Sequence, residues 1–399
     1  MNTMIKYDAV IVGGGVIGSC ISYYLTEAGL KVALVEKGDI ASGTTSSCDG
    51  NILISDKKPG FDTDLAAVSQ NLFEELDQKL DYEYDYTKKG SLYLIESQEE
   101  WSVAEQFVKE QTANGYAMRM LDYDQVHRDE PLLADDIIGG IEIETDAAVY
   151  PMAFTYSLID KACKNGLKLY NYNSVEDIIL DTKGQIESVL LSGGEKIRTT
   201  NVINAAGVWA PEIGQMVGLD IPIQPRQGQI LVAERTRQVG KRKIVEFGYM
   251  MAKFGSKNYK RDIHPILEKY GIAFVFEPTA ADNFLIGSSR QFVNFDNRIS
   301  IEVMKGLAAR AIRFFPSMKD INVIRAYAGL RPYVNDHFPI VSAVENVPGF
   351  YIAAGHEGDG IGLAPVTGKL VEHLIIGNDI NIPLDLDFAV QKLSFNRFF

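Results

Sequence analysis

Cysteine and histidine are scarce in this sequence. The three cysteines, Cys20, Cys48 and Cys163, lie far apart and form no CxxC pair, and the five histidines are scattered among 399 residues. This spacing gives neither a disulfide framework nor a zinc or iron–sulfur site, so no metal is expected, and it fits a reducing cytoplasm. No Ser/His/Asp or Cys/His arrangement for nucleophilic catalysis is evident either.

Long apolar runs and an excess of basic charge are also missing. Gly, Asp or Lys interrupts every apolar run, and residues 1–7 lack the parts of a signal peptide, so we expect a cytoplasmic chain with no membrane span. The 53 acidic residues outnumber the 39 basic ones, and the net charge of -14 disfavours a nucleic-acid partner because phosphates would be repelled. The length predicts two domains.

The N-terminal segment has the pattern of a βαβ unit. A continuous apolar run over 8–12 predicts a strand buried on both faces, and a second such run ends at Glu36. Between them, Gly13, Gly15 and Gly18 form the motif GxGxxG, which allows a tight turn and lets backbone amides approach a pyrophosphate at a helix N-terminus. The Glu36 carboxylate would bind ribose hydroxyls. This unit predicts a dinucleotide site but does not distinguish FAD from NAD.

The rest of the chain alternates between helical and strand periodicity. Helices are predicted at 63–80, 97–114, 300–315 and 364–376, and just after Gly207. Strands are predicted at 91–95, 168–172, 175–180, 185–191, 202–206, 223–234, 272–287 and 350–355, with those between 168 and 206 in one meander. The Gly-, Ser- and Thr-rich stretch 38–56 is typical of a loop that a ligand approaches closely. Residues 241–270 are poorly periodic, so we interpret them as an insertion or active-site loop.

Several motifs, in order along nearly the whole chain, resemble the D-amino-acid oxidase superfamily. The opening YDAVIVGGGVIGSCISYYLTEAGLKVALVEKGDIASGTTSS is similar to its ADP-binding unit and flavin loop, and VINAAGVWAPEIG (202–214) to its second flavin strand. The pair AGLRPYVNDHFPIV (328–341) and FYIAAGHEGDGIGLAPVTGKLVEHLI (350–375) resembles its C-terminal flavin closure, which a nicotinamide dehydrogenase has no reason to carry. The resemblance is in particular to the branch of glycine oxidase, sarcosine oxidase and the β-subunits of D-amino-acid and proline dehydrogenases.

This resemblance implies an α/β fold with two interleaved domains. A Rossmann-like FAD-binding domain of the glutathione-reductase type would be interleaved with an α+β substrate domain built on an antiparallel sheet. The FAD-binding domain would comprise 4–80, 151–218 and 326–380, and the substrate-binding domain would comprise 81–150 and 219–325.

The resemblance also implies which residues hold FAD. Those of the ADP half are Gly13, Gly15, Val16, Ile17, Gly18, Glu36 and Lys37, with Val175 at the adenine. Those of the diphosphate and ring loop are Ser42, Gly43, Thr44, Thr45, Ser46, Cys48, Gly50 and Asn51. Those of the later flavin segments are Ala206, Gly207, Trp209, Arg331, Gly358, Asp359, Gly360, Ile361 and Gly362. Backbone amides at 358–362 would stabilise negative charge on the reduced ring.

For the substrate, the resemblance points to Arg331 in GLRP. An arginine at this place grips the substrate carboxylate in glycine-oxidase-like enzymes, and its planar fork matches a carboxylate in bidentate geometry. A structural salt bridge is the alternative for this residue. His356 in AAGHEG is the histidine expected near the flavin, either in the site or as a hydrogen bonder behind it.

The sequence departs from the family pattern at four places. The strand at 273–276 lacks the tyrosine expected to bind the carboxylate, for which Tyr249, Tyr259 or Tyr327 could substitute. The loop at 357–359 lacks a second basic residue, and Leu285 is the nearest match to the lysine with which sarcosine oxidases activate oxygen. The cysteine that would bind flavin covalently is also missing, so FAD is expected to be noncovalent.

The reaction implied is removal of hydride from the C–N bond of a small amino acid, imino acid of the proline type, or opine. In the first alternative, a dehydrogenase passes electrons to a partner subunit or quinone, since 241–270 resembles the corresponding part of multi-subunit dehydrogenases. The second is an oxidase of the glycine or sarcosine type that makes hydrogen peroxide. The third is a non-catalytic flavoprotein assembly subunit. A glycerol-phosphate dehydrogenase would share the fold, but the net charge gives no support for its basic phosphate pocket.

Overall fold

The computed structural model describes residues 6–236, 239–254, 263–377 and 380–399. Strands β1 to β20 span, in order, Lys6–Tyr7, Ala9–Val12, Val32–Glu36, Asn51–Ile52, Ser91–Ile95, Met118–Leu121, Gly139–Ile143, Ala147–Ala148, Lys168–Asn171, Val175–Leu180, Ile186–Leu191, Lys196–Thr199, Val202–Asn204, Gln224–Ala233, Lys243–Glu246, Val275–Pro278, Phe284–Gly287, Val323–Tyr333, Ile340–Ala343 and Phe350–Ala354. Helices α1 to α11 span, in order, Val16–Glu27, Phe61–Lys79, Gln98–Ala113, Tyr123–Asp129, Pro151–Lys164, Ala210–Gln215, Phe247–Phe254, Pro265–Lys269, Ile301–Phe314, Gly360–Ile376 and Leu386–Lys392.

One sheet has six strands in the order β19-β20-β13-β2-β3-β9, and every pair except β19–β20 is parallel. Its central strand β2 is buried on both faces, which explains its continuous apolar sequence. Ala9 and Ile11 pack with α1, α2, α5 and α10, and Val10 and Val12 pack against the smaller sheet β1-β12-β11-β10. This is the Rossmann-like half of the protein.

The other large sheet has eight strands in the order β18-β14-β17-β16-β15-β5-β7-β6. All its neighbours are antiparallel except β15 and β5. Helices α8 and α9 cover one face through an aromatic cluster that includes Phe274, Phe276 and Phe314. Helices α3 and α7 pack over β5 and β15 on the other face. The predicted α/β fold class, with an antiparallel-type substrate sheet, is confirmed.

Most predicted elements are present with small shifts at their ends. The strand predicted at 272–287 is in fact two antiparallel strands, β16 and β17. The last long helix also differs, because α10 begins at Gly360, four residues before the predicted start. Glycines are poor helix formers, so the GDGIG sequence conceals a helix N-terminus whose cap is Asp359. Helix α10 therefore begins inside the glycine-rich sequence 358–362.

The predicted single meander between 168 and 206 is wrong at both ends. Strand β9 follows α5 and pairs in parallel with β3 in the six-stranded sheet, and β13 pairs with β2 and β20. Of the strands between 168 and 206, only β10, β11 and β12 are antiparallel neighbours of one another. Strand β12 is absent from the prediction. Local periodicity shows that a segment is a strand, but it does not show which sheet the strand joins.

The interpretation of 241–270 as an insertion or active-site loop remains a prediction, but the described part of this segment is largely regular structure. Strand β15 lies inside the eight-stranded sheet between β16 and β5, and α7 follows it directly. Residues 255–262 lie outside the described residues, and α8 ends the segment at Lys269.

The proposed division into two domains remains a prediction, but one strand crosses its boundary at residue 326. Strand β18 pairs with β14 from Val323 to Tyr333. Residues 326–333, Arg331 among them, therefore lie in the eight-stranded sheet.

Within the described ranges, no helix combines the length and the apolar character needed to cross a bilayer.

A buried ion cluster joins α9 to the eight-stranded sheet. We therefore expect loss of its buried arginine to lower stability more than loss of a more exposed arginine on the same helix. Arg310 donates from Nε to Glu246 and from Nη2 to Glu96, and the Arg310 and Glu246 side chains are 7% and 0% exposed. We expect Arg310→Met to lower the free energy of unfolding by about 3–5 kcal/mol, because Glu246 would stay enclosed without this guanidinium. Urea unfolding followed by circular dichroism measures the loss.

Arg313→Met on the same helix is the matched control. Arg313 pairs with Glu96 and Asp136, but its side chain is 33% exposed, so we expect a loss of about 0–1 kcal/mol. Equal losses for the two variants would contradict the assignment of a buried ion cluster.

Candidate functional site

A cavity of about 490 Å³ lies where the carboxyl ends of β2, β3, β13 and β20 face the eight-stranded sheet. Ligands of open α/β sheets bind at this edge of the parallel strands. One end of the cavity is lined by the glycine-rich turn and its neighbours, and the other by strands β5, β14, β15 and β18 and helix α7.

The glycine-rich turn forms the first end through very close backbone contacts. Gly13 has φ +111°, and a Cβ there would lie 2.5 Å from the Ala205 carbonyl oxygen. A Cβ on Gly18 would lie 1.9 Å from the carbonyl oxygen of Gly13, so neither position accepts a side chain. Helix α1 begins at Val16 with Gly15 as its N-cap, which places a helix N-terminus at the cavity, where an anion is stabilised.

Glu36 is held beside this turn by two backbone amides. Its Oε2 accepts a hydrogen bond of 2.7 Å from Gly14 N, and its Oε1 accepts one of 2.8 Å from Gly38 N. Each carboxylate oxygen keeps acceptor capacity for a further donor, such as a ribose hydroxyl. Nearby, the Lys37 ammonium lies 3.4 Å from the ring centroid of Trp209, which also lines the cavity.

The serine- and threonine-rich loop is hydrogen-bonded both to the start of α1 and to the eight-stranded sheet, here called the substrate sheet. Thr45 Oγ1 accepts a hydrogen bond of 3.1 Å from Val16 N, at the helix start. Thr44 Oγ1 donates one of 2.6 Å to the carbonyl oxygen of Leu330 on β18. The loop therefore fixes the glycine turn against the strand that carries Arg331.

His356 lies in the loop between β20 and α10 (residues 355–359, the C-terminal loop), and its side chain is buried. Its Nε2 lies 2.9 Å from Thr367 Oγ1, and burial lowers the pKa of His356 to about 4. The ring is therefore neutral at physiological pH, and this contact fits the role of a hydrogen bonder better than that of a proton carrier.

The two acidic residues of the C-terminal loop are both held in ion pairs. Glu357 pairs with Arg226 on β14, and Asp359 accepts a hydrogen bond of 2.7 Å from Lys57. Lys57 also pairs with Asp56, and its side chain is 3% exposed. Burial opposes the charged form of Lys57, but Asp359 and Asp56 raise its pKa above the ordinary value. The loop is thus attached to the opposite wall of the cavity.

Arg331 projects into the cavity from β18. Its guanidinium lies over Gly228, where a Cβ would meet Nη1, Nη2 and Cζ at 2.4–2.6 Å. Nη1 donates a hydrogen bond of 3.0 Å to the Ser289 carbonyl oxygen, and burial lowers the pKa of Arg331. Among the described residues, no carboxylate lies within 4.0 Å of its nitrogens. The geometry leaves a guanidinium available for an anion.

The tyrosines predicted as substitutes separate in the structure. Tyr249 on α7 lines the cavity with its ring under the Arg290 guanidinium, 4.3 Å from centroid to Cζ. Tyr327 does not line the cavity, and its hydroxyl lies 3.4 Å from the Cys48 carbonyl oxygen. Tyr259 lies outside the described residues. Tyr249 is thus the only one of the described pair in a position to touch a ligand.

Most of the predicted cofactor residues line the cavity, and three do not. Gly18 packs against Gly13, and Gly50 donates from its N to Glu277 at 3.1 Å in a position where a Cβ would meet the Val149 carbonyl oxygen. Ser46 donates its hydroxyl back to the Gly43 carbonyl oxygen at 3.0 Å. Their roles are to shape the turns around the cavity.

Sequence reasoning missed a group of polar residues on the substrate wall. These are Asp56, Lys57, Tyr93, Lys243, Ser288 and Arg290. They come from separate strands and loops with no shared motif, and an arginine or lysine at an alternating strand position gives no signal of its own. Leu285, the match to the missing lysine, lies on β17 and is not among the lining residues.

The first end of the cavity fits FAD on three observations. The glycine turn admits a diphosphate at the start of α1, and the fixed Glu36 carboxylate suits ribose hydroxyls. The start of α10, where Gly358, Gly360 and Gly362 line the cavity, offers backbone amides to a ring. Cys48 lines the cavity, and its Sγ lies 3.2 Å from the Thr45 carbonyl oxygen.

Comparison with known proteins agrees with this site. The sequence matches the family described as "DAO: FAD dependent oxidoreductase" over residues 8–374. It is 27% identical to hydrogen cyanide synthase subunit HcnC of Pseudomonas aeruginosa, over 95% of this chain and 94% of that protein. It is 28% identical to glycine oxidase of Geobacillus kaustophilus, over 93% of each.

The crystal structure of glycine oxidase from Geobacillus kaustophilus superposes on this fold with a TM-score of 0.84. The two are 25% identical, over 98% of this chain and 99% of that one. The family match spans nearly the whole chain, and it includes the glycine turn, Glu36 and the start of α10. The chain belongs to the DAO family of FAD-dependent oxidoreductases.

Proposed function

We propose that this protein oxidises the C–N bond of a small amino acid or imino acid. When bound, FAD supplies the acceptor for the hydride that leaves the α-carbon. The observation that carries the proposal is the guanidinium of Arg331, which faces the cavity from the substrate sheet with no carboxylate partner among the described residues. A carboxylate bound there would set the adjacent α-carbon in a fixed position.

The chain's own residues would mainly position the substrate and exclude water. Arg331 would bind the substrate carboxylate in bidentate geometry, held in place by the Ser289 carbonyl and the flat surface of Gly228. Ile230, Val245 and Val275 give the substrate wall apolar surface, which favours the neutral amine that hydride transfer requires. His356, neutral and bonded to Thr367, would support the ring side of the site.

We infer that the electrons pass to a partner subunit or a quinone, with an oxidase of the glycine type as the alternative. The relative from Pseudomonas aeruginosa is named as a subunit, which supports a partner. Leu285 stands where the oxygen-activating lysine would be expected. Lys243 lines the cavity from β15, so the oxidase remains the second candidate.

Anaerobic reduction of the bound flavin tests the reaction. We expect loss of flavin absorbance with at least one of glycine, sarcosine, D- or L-proline, the hydroxyprolines, other D-amino acids and opines. On admission of air, persistent reduction would support a dehydrogenase, and rapid recovery with hydrogen peroxide would support the oxidase. If no compound reduces the flavin, the proposed reaction is wrong for the isolated chain.

Arg331→Lys tests carboxylate binding. We expect the dissociation constant of the reducing substrate to rise about 100-fold, because an ammonium cannot replace the bidentate fork. The concentration dependence of anaerobic flavin reduction gives this constant. Arg325→Lys, an exposed position on the same strand, is the control and should leave it unchanged. An unchanged constant in Arg331→Lys would show that the carboxylate binds elsewhere.

Glu36→Ala tests the nucleotide end. We expect FAD affinity to fall roughly 10- to 100-fold, because the carboxylate bonds to ribose and to two amides are lost together. Flavin fluorescence on dilution measures release, and complete release from denatured wild-type protein would agree with noncovalent FAD. Glu187→Ala, on the exposed face of β11, should retain normal affinity. Equal retention by Glu36→Ala would contradict this role.

A further inference from the structure

The substrate end of the cavity contains a second guanidinium, Arg290. It lines the cavity together with Arg331, and Tyr249 supports one face of its planar group at 4.3 Å. The backbone around it is also held in place, since Arg290 N donates a hydrogen bond of 2.9 Å to the Tyr270 carbonyl oxygen. The Tyr249 ring and the fixed backbone therefore hold Arg290 at the cavity before any ligand arrives.

Arg290 has no acceptor within the described part of the protein. Its side chain makes neither an ion pair nor a hydrogen bond there, and its Nε is fully enclosed without a partner. Burial lowers the pKa of Arg290, and repulsion from Arg331 and Arg226 lowers it further. Arg310 is the contrasting case in this protein, because its buried guanidinium bonds to two glutamates. Because Arg290 is half-buried and lines the cavity, an anionic ligand can reach its remaining N–H groups and supply the missing acceptor.

The acidic residues around this end are already engaged or lie outside ion-pair distance. Asp56 and Asp359 both pair with Lys57, and Glu357 pairs with Arg226. The remaining acid at the cavity wall is Asp49, which raises the pKa of Arg331 but is more than 4.0 Å from its nitrogens.

The remaining charged side chains near the cavity lie beside Lys243 or at the nucleotide end. The Lys243 ammonium lies at the wall near the enclosed Glu277, which does not line the cavity. Glu36, Lys37 and Glu212 lie at the nucleotide end. Asp56 and Asp359 share the one Lys57 ammonium, and both carboxylates also raise the pKa of Arg290 without forming an ion pair with it.

We propose that the substrate is an amine with two carboxylates, one bound by Arg331 and the other by Arg290. This proposal rests on the proposed function and names its substrate class. A zwitterion with two carboxylates and one ammonium would offer one anionic group to each of these two guanidinium groups. The second carboxylate would be either on a substituent of the nitrogen or on the side chain, and both give the same pair of anions to the two guanidinium groups.

A purely structural role for Arg290, as a cap on the Tyr249 ring, is the alternative. Stacking alone uses the face of the guanidinium and leaves its N–H groups unbonded. A neutral side chain of similar length would cover the ring without this cost. The structural alternative therefore explains the stacking but not the charge.

The test compares ligands that differ in the second carboxylate alone. Iminodiacetate is glycine with a carboxymethyl group on nitrogen, and N-isobutylglycine replaces that carboxylate by an uncharged group of similar shape. Perturbation of the flavin absorbance in the FAD-loaded protein gives both dissociation constants under anaerobic conditions. We expect the wild-type protein to bind iminodiacetate about 10- to 100-fold more tightly. D- and L-glutamate, compared with D- and L-norvaline, test the side-chain form.

Variants then connect the preference to Arg290. We expect Arg290→Gln to bring the ratio of the two dissociation constants close to one, and Arg290→Lys to retain part of it. The exposed control Arg325→Gln should keep the wild-type ratio. The proposal is overturned if the wild-type protein shows no preference in either ligand pair, or if Arg290→Gln keeps the full preference.

Failure of this proposal can be told apart from failure of the proposed function. If sarcosine or proline reduces the flavin while the binding ratio is one, amine oxidation stands and the dicarboxylate class is wrong. If the ratio is high and depends on Arg290 but no amine reduces the flavin, the dicarboxylate site stands and the proposed reaction is wrong.

Discussion

The pairing of β14 with β18 is the constraint on which the substrate end of the site depends. These strands run antiparallel with Arg226 opposite Arg331 and Gly228 opposite Gly329. Because Gly228 has no side chain, the Arg331 guanidinium can lie across it and reach the cavity. A shift of one residue would turn Arg331 to the other face of the sheet. The register therefore decides whether Arg331 can form the proposed carboxylate site.

The same two strands tie the substrate sheet to the cofactor side. Arg226 on β14 holds Glu357 of the C-terminal loop, and the Leu330 carbonyl oxygen on β18 accepts from Thr44 of the serine- and threonine-rich loop. Lys57 adds a third connection, because its carbonyl oxygen accepts from Gln111 on α3 and its ammonium donates to Asp359, the cap of α10. The cofactor and substrate ends are thus fixed relative to each other by ion pairs and hydrogen bonds. Hydride transfer needs this fixed geometry because its rate depends steeply on the approach of the reacting atoms.

Arginine has opposite roles in two parts of this protein, and the difference lies in its partners. Arg226 and Arg310 are bound by glutamates and connect elements of structure. Arg290 and Arg331 have no carboxylate partner among the described residues, and both line the cavity. Because a guanidinium loses much of its hydration when enclosed, it needs an anion to compensate. The division between the structural arginines and those proposed to bind a ligand therefore follows from which of them pair with local acids.

The sequence by itself determined the nucleotide end of the protein. Gly13, Gly15 and Glu36 fall within one βαβ unit, so short-range spacing is enough to place the turn, the helix N-terminus and the carboxylate. The resemblance in the later motifs added the flavin loop and Arg331. The sequence did not predict the helix start at Gly360, because glycines weaken the local helical signal even where packing favours a helix.

Only the tertiary structure decided the composition of the substrate end. Tyr93, Lys243 and Arg290 are far apart along the chain, and the folding of the eight-stranded sheet brings them to one cavity. The sequence likewise did not show that Glu357 and Asp359 have basic partners, Arg226 and Lys57, which lie 131 and 302 positions earlier in the chain. Local patterns report periodicity and turns, whereas the charge balance of a cavity depends on contacts between distant segments that only folding creates.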